Sequence, residues 1–183
     1  MSYASPSHEL GDLVELLAVP HRAKQAYRQL RSIGAPARAA VTRGLAHDDP
    51  GVRKMCCVLL DHLADESTFA NLIAMLADPV SGVRFHALHA LACDRCKAEG
   101  CSLPDKSEVL PRAIEALESD SSPHVRAIAV EVVARWAHTD AEAELALVAA
   151  HTRDPSPAVR KKAGWFAPGG TIYKRTQPKS ARR

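Results

Sequence analysis

Two imidazoles and three thiols lie close together in the middle of the chain: His86, His89, Cys93, Cys96 and Cys101. At about 100° per residue, His86, His89, Cys93 and Cys96 share an arc of about 80° on one helix face. Thiolates and a neutral imidazole are what a tetrahedral zinc ion takes, and Cys-x2-Cys is the usual half of a zinc knuckle. The expected ligand set is His89, Cys93, Cys96 and Cys101, with His62 the runner-up for the imidazole position. A continuous helix would separate His89 from Cys96 by about 10 Å along its axis, too far for one ion. The helix should therefore end near Cys93, with Cys96 in a turn and Gly100 letting the chain bring Cys101 back. Four protein ligands leave no open position, which makes such a metal structural. The other reading makes Cys93 a small helix-end residue, Cys96 and Cys101 loop thiols and His89 a surface imidazole.

Nothing else in the chain identifies a reaction. No Ser/His/Asp order, phosphate loop or carboxylate pair is present, so an enzyme is not the leading expectation. The elements that must position the cluster follow from composition. In 183 residues there are 32 alanines and only 4% aromatics, which calls for a core of small side chains and favours helices over sheets. Cys56 falls among alanines on a helical stripe and is expected to pack in that core, while Cys57 has no assigned partner.

Charge is unevenly spread. From Arg160 to Arg183 there are eight basic residues and no acidic one, leaving 16 basic against 21 acidic residues in the remainder. A mildly acidic body with a cationic end suits an acidic protein surface or a phosphate backbone, or else the end is a solvated tail. No run of 18 apolar residues occurs, and the N-terminus lacks the basic and apolar regions of a secretory leader. Five cysteines, two of them adjacent, do not form a secreted disulfide framework, so a cytoplasmic protein is expected, with no membrane contact.

The chain also repeats itself. Four stretches, 48–53, 78–84, 120–126 and 154–160, each open with Asp, place Pro or Ser two positions before a Val, and close on Val-Arg. They align on Val52, Val83, Val125 and Val159, spaced 31, 42 and 34 residues apart. Each is followed by apolar residues at helical spacing, such as Val52, Cys56, Leu59, Leu60 and Leu63, and preceded by a shorter amphipathic stretch. A further pair, about 8–17 and 21–33, is split by Pro20 and lacks the motif, as a capping repeat would. The longest spacing coincides with CDRCKAEGCSLPDK, an insert with too little apolar content to be held by packing.

With this motif and the small residues Cys56, Ala87, Ala129 and Ala163, the chain resembles the HEAT-repeat family, in particular its short bacterial HEAT-like members. The resemblance implies an all-α, right-handed α-α superhelix of about five helix pairs. A capping pair would span 1–34, repeats 35–166 with the Cys-containing insert near 93–106, and a basic tail 167–183 in which Gly169 and Gly170 make a turn rather than another helix. It also implies that the Asp and Arg of successive turns stack as a charge ladder, making Arg53, Arg84, Arg126 and Arg160 structural.

In such solenoids the second helices line the concave side. Offsets 3, 6 and 10 from each valine give Met55, Val58 and His62; His86, His89 and Cys93; Ile128, Glu131 and Arg135; and Lys162 and Trp165. His86, Glu131, Arg135, Lys162, Trp165, Lys174 and Arg175 are therefore the expected partner contacts; Trp165 either anchors a partner or packs under the following segment. The leading expectation is a non-catalytic scaffold binding a protein in its groove. A nucleic-acid binder using the basic end and a HEAT-like lyase using the His/Cys cluster are the alternatives. For the metal, protein purified without added metal should carry about one zinc per chain, lost in a Cys96→Ser, Cys101→Ser double variant. Metal-free protein with every thiol titratable would contradict the zinc assignment.

Overall fold

A computed structural model of the chain describes residues 6–92 and 104–178. The backbone divides into two compact units, Met1–Pro104 and Asp105–Arg183. Among the described residues all regular structure is helical, as the repeat pattern requires. The first unit holds α1 (Pro6–Glu15) with α2 (Pro20–Ile33), α3 (Arg38–Arg43) with α4 (Pro50–Leu63), and α5 (Glu66–Ala74) with α6 (Ser81–Ala92). There α1 packs on α2 and α3, α2 on α4, and α4 on α6, so second helices stack on second helices. The second unit pairs α7 (Lys106–Ser119) with α8 (Pro123–Ala134) and α9 (Ala141–Arg153) with α10 (Pro157–Phe166), and ends in α11 (Thr171–Thr176). Here α8 stacks on α10, α7 on α9, and α11 rests on α10. The short α11 corrects the expectation of a turn with no further helix after Gly169 and Gly170.

Helix starts follow two local rules. Second helices α2, α4, α8 and α10 begin with Pro at the first position, where the missing N–H costs nothing and φ is already helical. First helices α5, α7 and α9 are capped by Asp65, Asp105 and Asp140, whose side chains accept N–H bonds from the first turn. The helices then bury the anticipated stripe. Val52, Val83, Val125 and Val159 are fully or almost fully buried, as are Cys56, Ala87, Ala129 and Ala163 four residues on. Ala26 holds the same place in α2. Burial pushes the thiols of Cys56 and Cys57 up to about 12, so neither is a nucleophile near neutral pH.

Cys56 is larger than the alanine that other second helices carry, and the space comes from Gly44 across the pair. A Cβ at Gly44 would lie 2.6 Å from Cys56 Sγ and 2.8 Å from Val14 Cγ1. Gly44→Ala should therefore cost about 1–3 kcal/mol through overpacking, and Cys56→Ala in the same chain should restore part of the loss. Additive losses in urea unfolding would contradict this contact.

The turns between helices carry the expected charge ladder within each unit. Arg53 Nε donates to Asp78 Oδ2 at 2.7 Å and Nη2 to Oδ1 at 3.2 Å. Arg126 makes the same fork to Asp154 at 2.7 and 3.1 Å. Each arginine also donates Nη1 to carbonyls of its own turn, Arg53 to His47 and Asp48, Arg126 to Asp120. The Asp closes the next turn as well, since Asp78 Oδ1 accepts from Val80 N–H and Asp154 Oδ1 from Ser156 N–H. One guanidinium thus ties the ends of two successive turns, with every charge paired and hydrogen-bonded.

A second, unforeseen set of links joins first helices: Arg38 pairs with Asp65, and Lys106 Nζ with Asp140 Oδ2 at 2.7 Å. The first turn departs from the motif. Counted from the helix start, His47 rather than Asp48 stands where Asp78, Asp120 and Asp154 stand, three residues before the first helical residue. Its Nδ1 accepts from Asp49 N–H at 2.9 Å, as the aspartates do, and its Nε2–H reaches Glu15 Oε2 at 3.2 Å. The preceding second helix has Ala23 where the ladder arginine would be, so no guanidinium is there to take a carboxylate at 47.

Burial alone would push the Asp78 carboxyl up. The Arg53 and Val80 hydrogen bonds with the charges of Arg53 and Arg84 outweigh it and hold the group below the usual carboxylate range. Its stabilisation is complete above the unfolded value of about 4 and is lost as pH falls through the lower folded value. Asp78→Asn should cost about 3 kcal/mol at neutral pH by leaving Arg53 without its counter-charge, and the gap to wild type should narrow below about pH 4. A penalty in urea unfolding that stays constant down to pH 3 would contradict the ladder's role.

Candidate partner-binding faces

In the second unit, α8 and α10 lie side by side and present Glu131, Lys162 and Trp165 outward. Lys162 Nζ sits 2.5 Å from Glu131 Oε1, so the two charges expected to meet a partner separately neutralise each other. Ile128, expected on the same outer face, is buried instead at 4% exposure. Arg135 falls at the C-cap of α8, with its guanidinium carbon 5.8 Å from the centre of the Trp136 ring.

Trp165 combines the two outcomes that the sequence left open. Its indole is 42% exposed, with Lys161 Nζ 5.9 Å from the ring centre. Its backbone is what the following segment covers: a Cβ at Gly170 would collide with the carbonyl groups of Gly164 and Trp165. Only glycine permits that approach, and Gly169 beside it takes a φ of 86°. This turn aims α11 back along the unit. Tyr173 donates its hydroxyl to Glu144 Oε2 at 3.1 Å and packs its ring against His138 at a 45° tilt, ring centres 4.2 Å apart. His138 Nε2 in turn lies 3.0 Å from Thr176 Oγ1. Lys174 and Arg175 are thus exposed cations on a docked helix and not on a loose tail.

In the first unit, α4 and α6 carry the central imidazoles. His86 and His89 are both half-buried on α6. Burial, then the charges of Lys54 and His89, hold His86 below the usual imidazole range despite the opposing pull of Asp61, which leaves it neutral near pH 7. His89 Nε2 lies 3.7 Å from Asp61 Oδ2 on α4. Cys93, Cys96 and Cys101 lie outside the described residues. Among the described residues, no three His, Cys, Asp or Glu side chains gather as a metal site.

The sequence reading passed over one face of α2. From Leu16 to His47 there are six basic residues and no acidic one, a stretch as free of acids as the C-terminal end. Arg28 and Ser32 stand at the same outward register as Val58 and His62 on α4, and Lys24, Arg28 and Arg31 are exposed around Tyr27. A search for acid-free windows along the whole chain, rather than at its end, finds this patch.

No family model matches the sequence, and no curated protein matches it. Solved structures do match in fold. A designed armadillo repeat protein in complex with the peptide (KR)4 gives a TM-score of 0.54 at 20% identity, covering 86% of this chain and 80% of that chain. An engineered protein gives 0.54 at 22% identity, covering 85% of this chain and 78% of that one. Computationally designed armadillo repeat proteins for modular peptide recognition give 0.50 at 19% identity, covering 84% and 79%. The chain is accordingly an all-α repeat protein of consecutive helix pairs, similar in fold to these armadillo-type solenoids.

Proposed function

We propose that the protein is a non-catalytic repeat scaffold that takes an extended protein segment on the outward face of its second helices. The observation that carries this reading is Trp165, whose indole is left 42% exposed while its backbone is clamped by Gly170. A rigidly held, exposed indole beside a cation is a common interface anchor, because it buries a large area at little entropic cost. The Glu131–Lys162 pair on α8 and α10 and Arg135 at the end of α8 would add polar contacts, and Lys174 and Arg175 add positive charge from α11. On the first unit His86 and the α2 cations play the corresponding part. The designed armadillo protein of the same fold holds a basic peptide. The cationic patches here favour the opposite polarity, an acidic segment with an apolar side chain for Trp165. The Cys93, Cys96 and Cys101 insert, pinned by zinc with His89 or the runner-up His62, would serve as a structural clip within this scaffold.

A nucleic-acid partner is the second reading, favoured by the two acid-free stretches 16–47 and 160–183. Selection from a displayed peptide library with the full chain as bait distinguishes the two. Acidic peptides should emerge and bind at least tenfold more weakly to Trp165→Ala, whose melting temperature should match wild type. Lys174→Glu with Arg175→Glu should lower the salt dependence. Tight binding to duplex DNA, steeply salt-dependent and indifferent to Trp165→Ala, would overturn the peptide reading.

A further inference from the structure

Asp61 breaks the pattern of the helix that carries it. It faces the α4–α6 contact at 6% exposure, and its Oδ1 has no hydrogen-bond partner among the described residues. The fold does not need a carboxylate there, since the corresponding positions of α6 and α8 are Ala92 and Ala134. A buried acid with an unused oxygen costs stability, and such costs persist where a ligand uses the group. His89 is the group it faces, with Nε2 3.7 Å from Oδ2. That separation is too long for a direct hydrogen bond. A single bridging water, about 2.8 Å from each atom, would have to bond at an angle of about 80°, far too acute. An ion about 2.05 Å from each atom would subtend about 130°, within reach of a distorted tetrahedral site.

We infer that Asp61 and His89 are two ligands of one divalent transition-metal site at the α4–α6 contact. The orphaned Oδ1 either completes a bidentate carboxylate or accepts a hydrogen bond from a metal-bound water. One carboxylate and one imidazole select a borderline ion such as zinc or cobalt(II) over magnesium or calcium, which prefer oxygen alone. The half-exposed His89 ring gives the ion a way in. Water fills the remaining positions, which leaves His62, the runner-up in the sequence, as the imidazole for the proposed thiol clip.

Calorimetric titration of zinc into metal-free full-length protein tests it, with Asp61→Asn and a Cys93→Ser, Cys96→Ser, Cys101→Ser variant alongside. Asp61→Asn should bind zinc at least tenfold more weakly and alter the visible cobalt(II) spectrum. Its metal-free melting temperature should equal or exceed wild type, since the carboxylate is not required by the packing of the repeat. Retained zinc binding in the serine variant that is still weakened by adding Asp61→Asn supports the site without the thiols. Loss of zinc binding in the serine variant overturns the site, because the ion then depends on the thiols. Zinc binding unchanged by Asp61→Asn overturns the inference, and if the serine variant alone loses it, the thiol clip stands by itself. Wild-type protein that binds no zinc overturns both.

Discussion

The fork from a turn arginine to the aspartate of the next turn is the interaction on which each unit is organised. A helix pair has an apolar face to bury and polar helix ends that need partners. Hydrophobic contact is non-directional, so burying the valine, leucine and alanine stripes does not by itself fix the offset between neighbouring pairs. The bond from Arg53 to Asp78, and from Arg126 to Asp154, fixes the offset between pairs. The same atoms close the turns, so the ladder satisfies backbone groups that the helix ends leave open. Where the ladder ends at the N-terminal side, His47 and Glu15 replace the ionic fork and keep the turn closed.

Most of this was legible in the sequence because it depends on local spacing. The valine of each motif reports the helix register, and the buried places of Cys56, Ala87, Ala129 and Ala163 follow from it directly. What was not legible depends on pairings between distant residues. The Arg38–Asp65 and Lys106–Asp140 links leave no shared motif. Lys162 reads as a partner contact until α8 brings Glu131 against it. Ile128 is placed outward by a simple helical wheel, which ignores how far the neighbouring helix wraps over the stripe. The Gly169–Gly170 pair reads as a stop, yet it is a tight reversal that docks α11. The first motif opens with Asp48, yet with the valines aligned the ladder position, three residues before the helix start, falls on His47.

The functional surfaces are what remain after these structural demands are met. The ladder arginines bind neighbouring turns and Glu131 and Lys162 bind each other, so in the proposed function the charge met by a partner comes from α2 and α11. The exposed indole of Trp165 adds an apolar anchor beside the second of these. Asp61 and His89 stand apart from this surface logic, as a buried acid and an imidazole that packing does not require. The proposed binding and metal roles thus fall to residues for which the repeat itself has no use.

A double-mutant cycle on Arg126 and Asp154 tests the organising role of the fork most directly. Arg126→Ala, Asp154→Ala and the combined variant would be compared by urea unfolding at neutral pH. Each single change should cost about 3 kcal/mol or more by leaving one buried group without its partner. The double variant should cost little more than either single change, giving a coupling of at least about 1.5 kcal/mol. Strictly additive losses would show that the two residues stabilise their turns independently and that hydrophobic packing alone sets the stacking of the pairs.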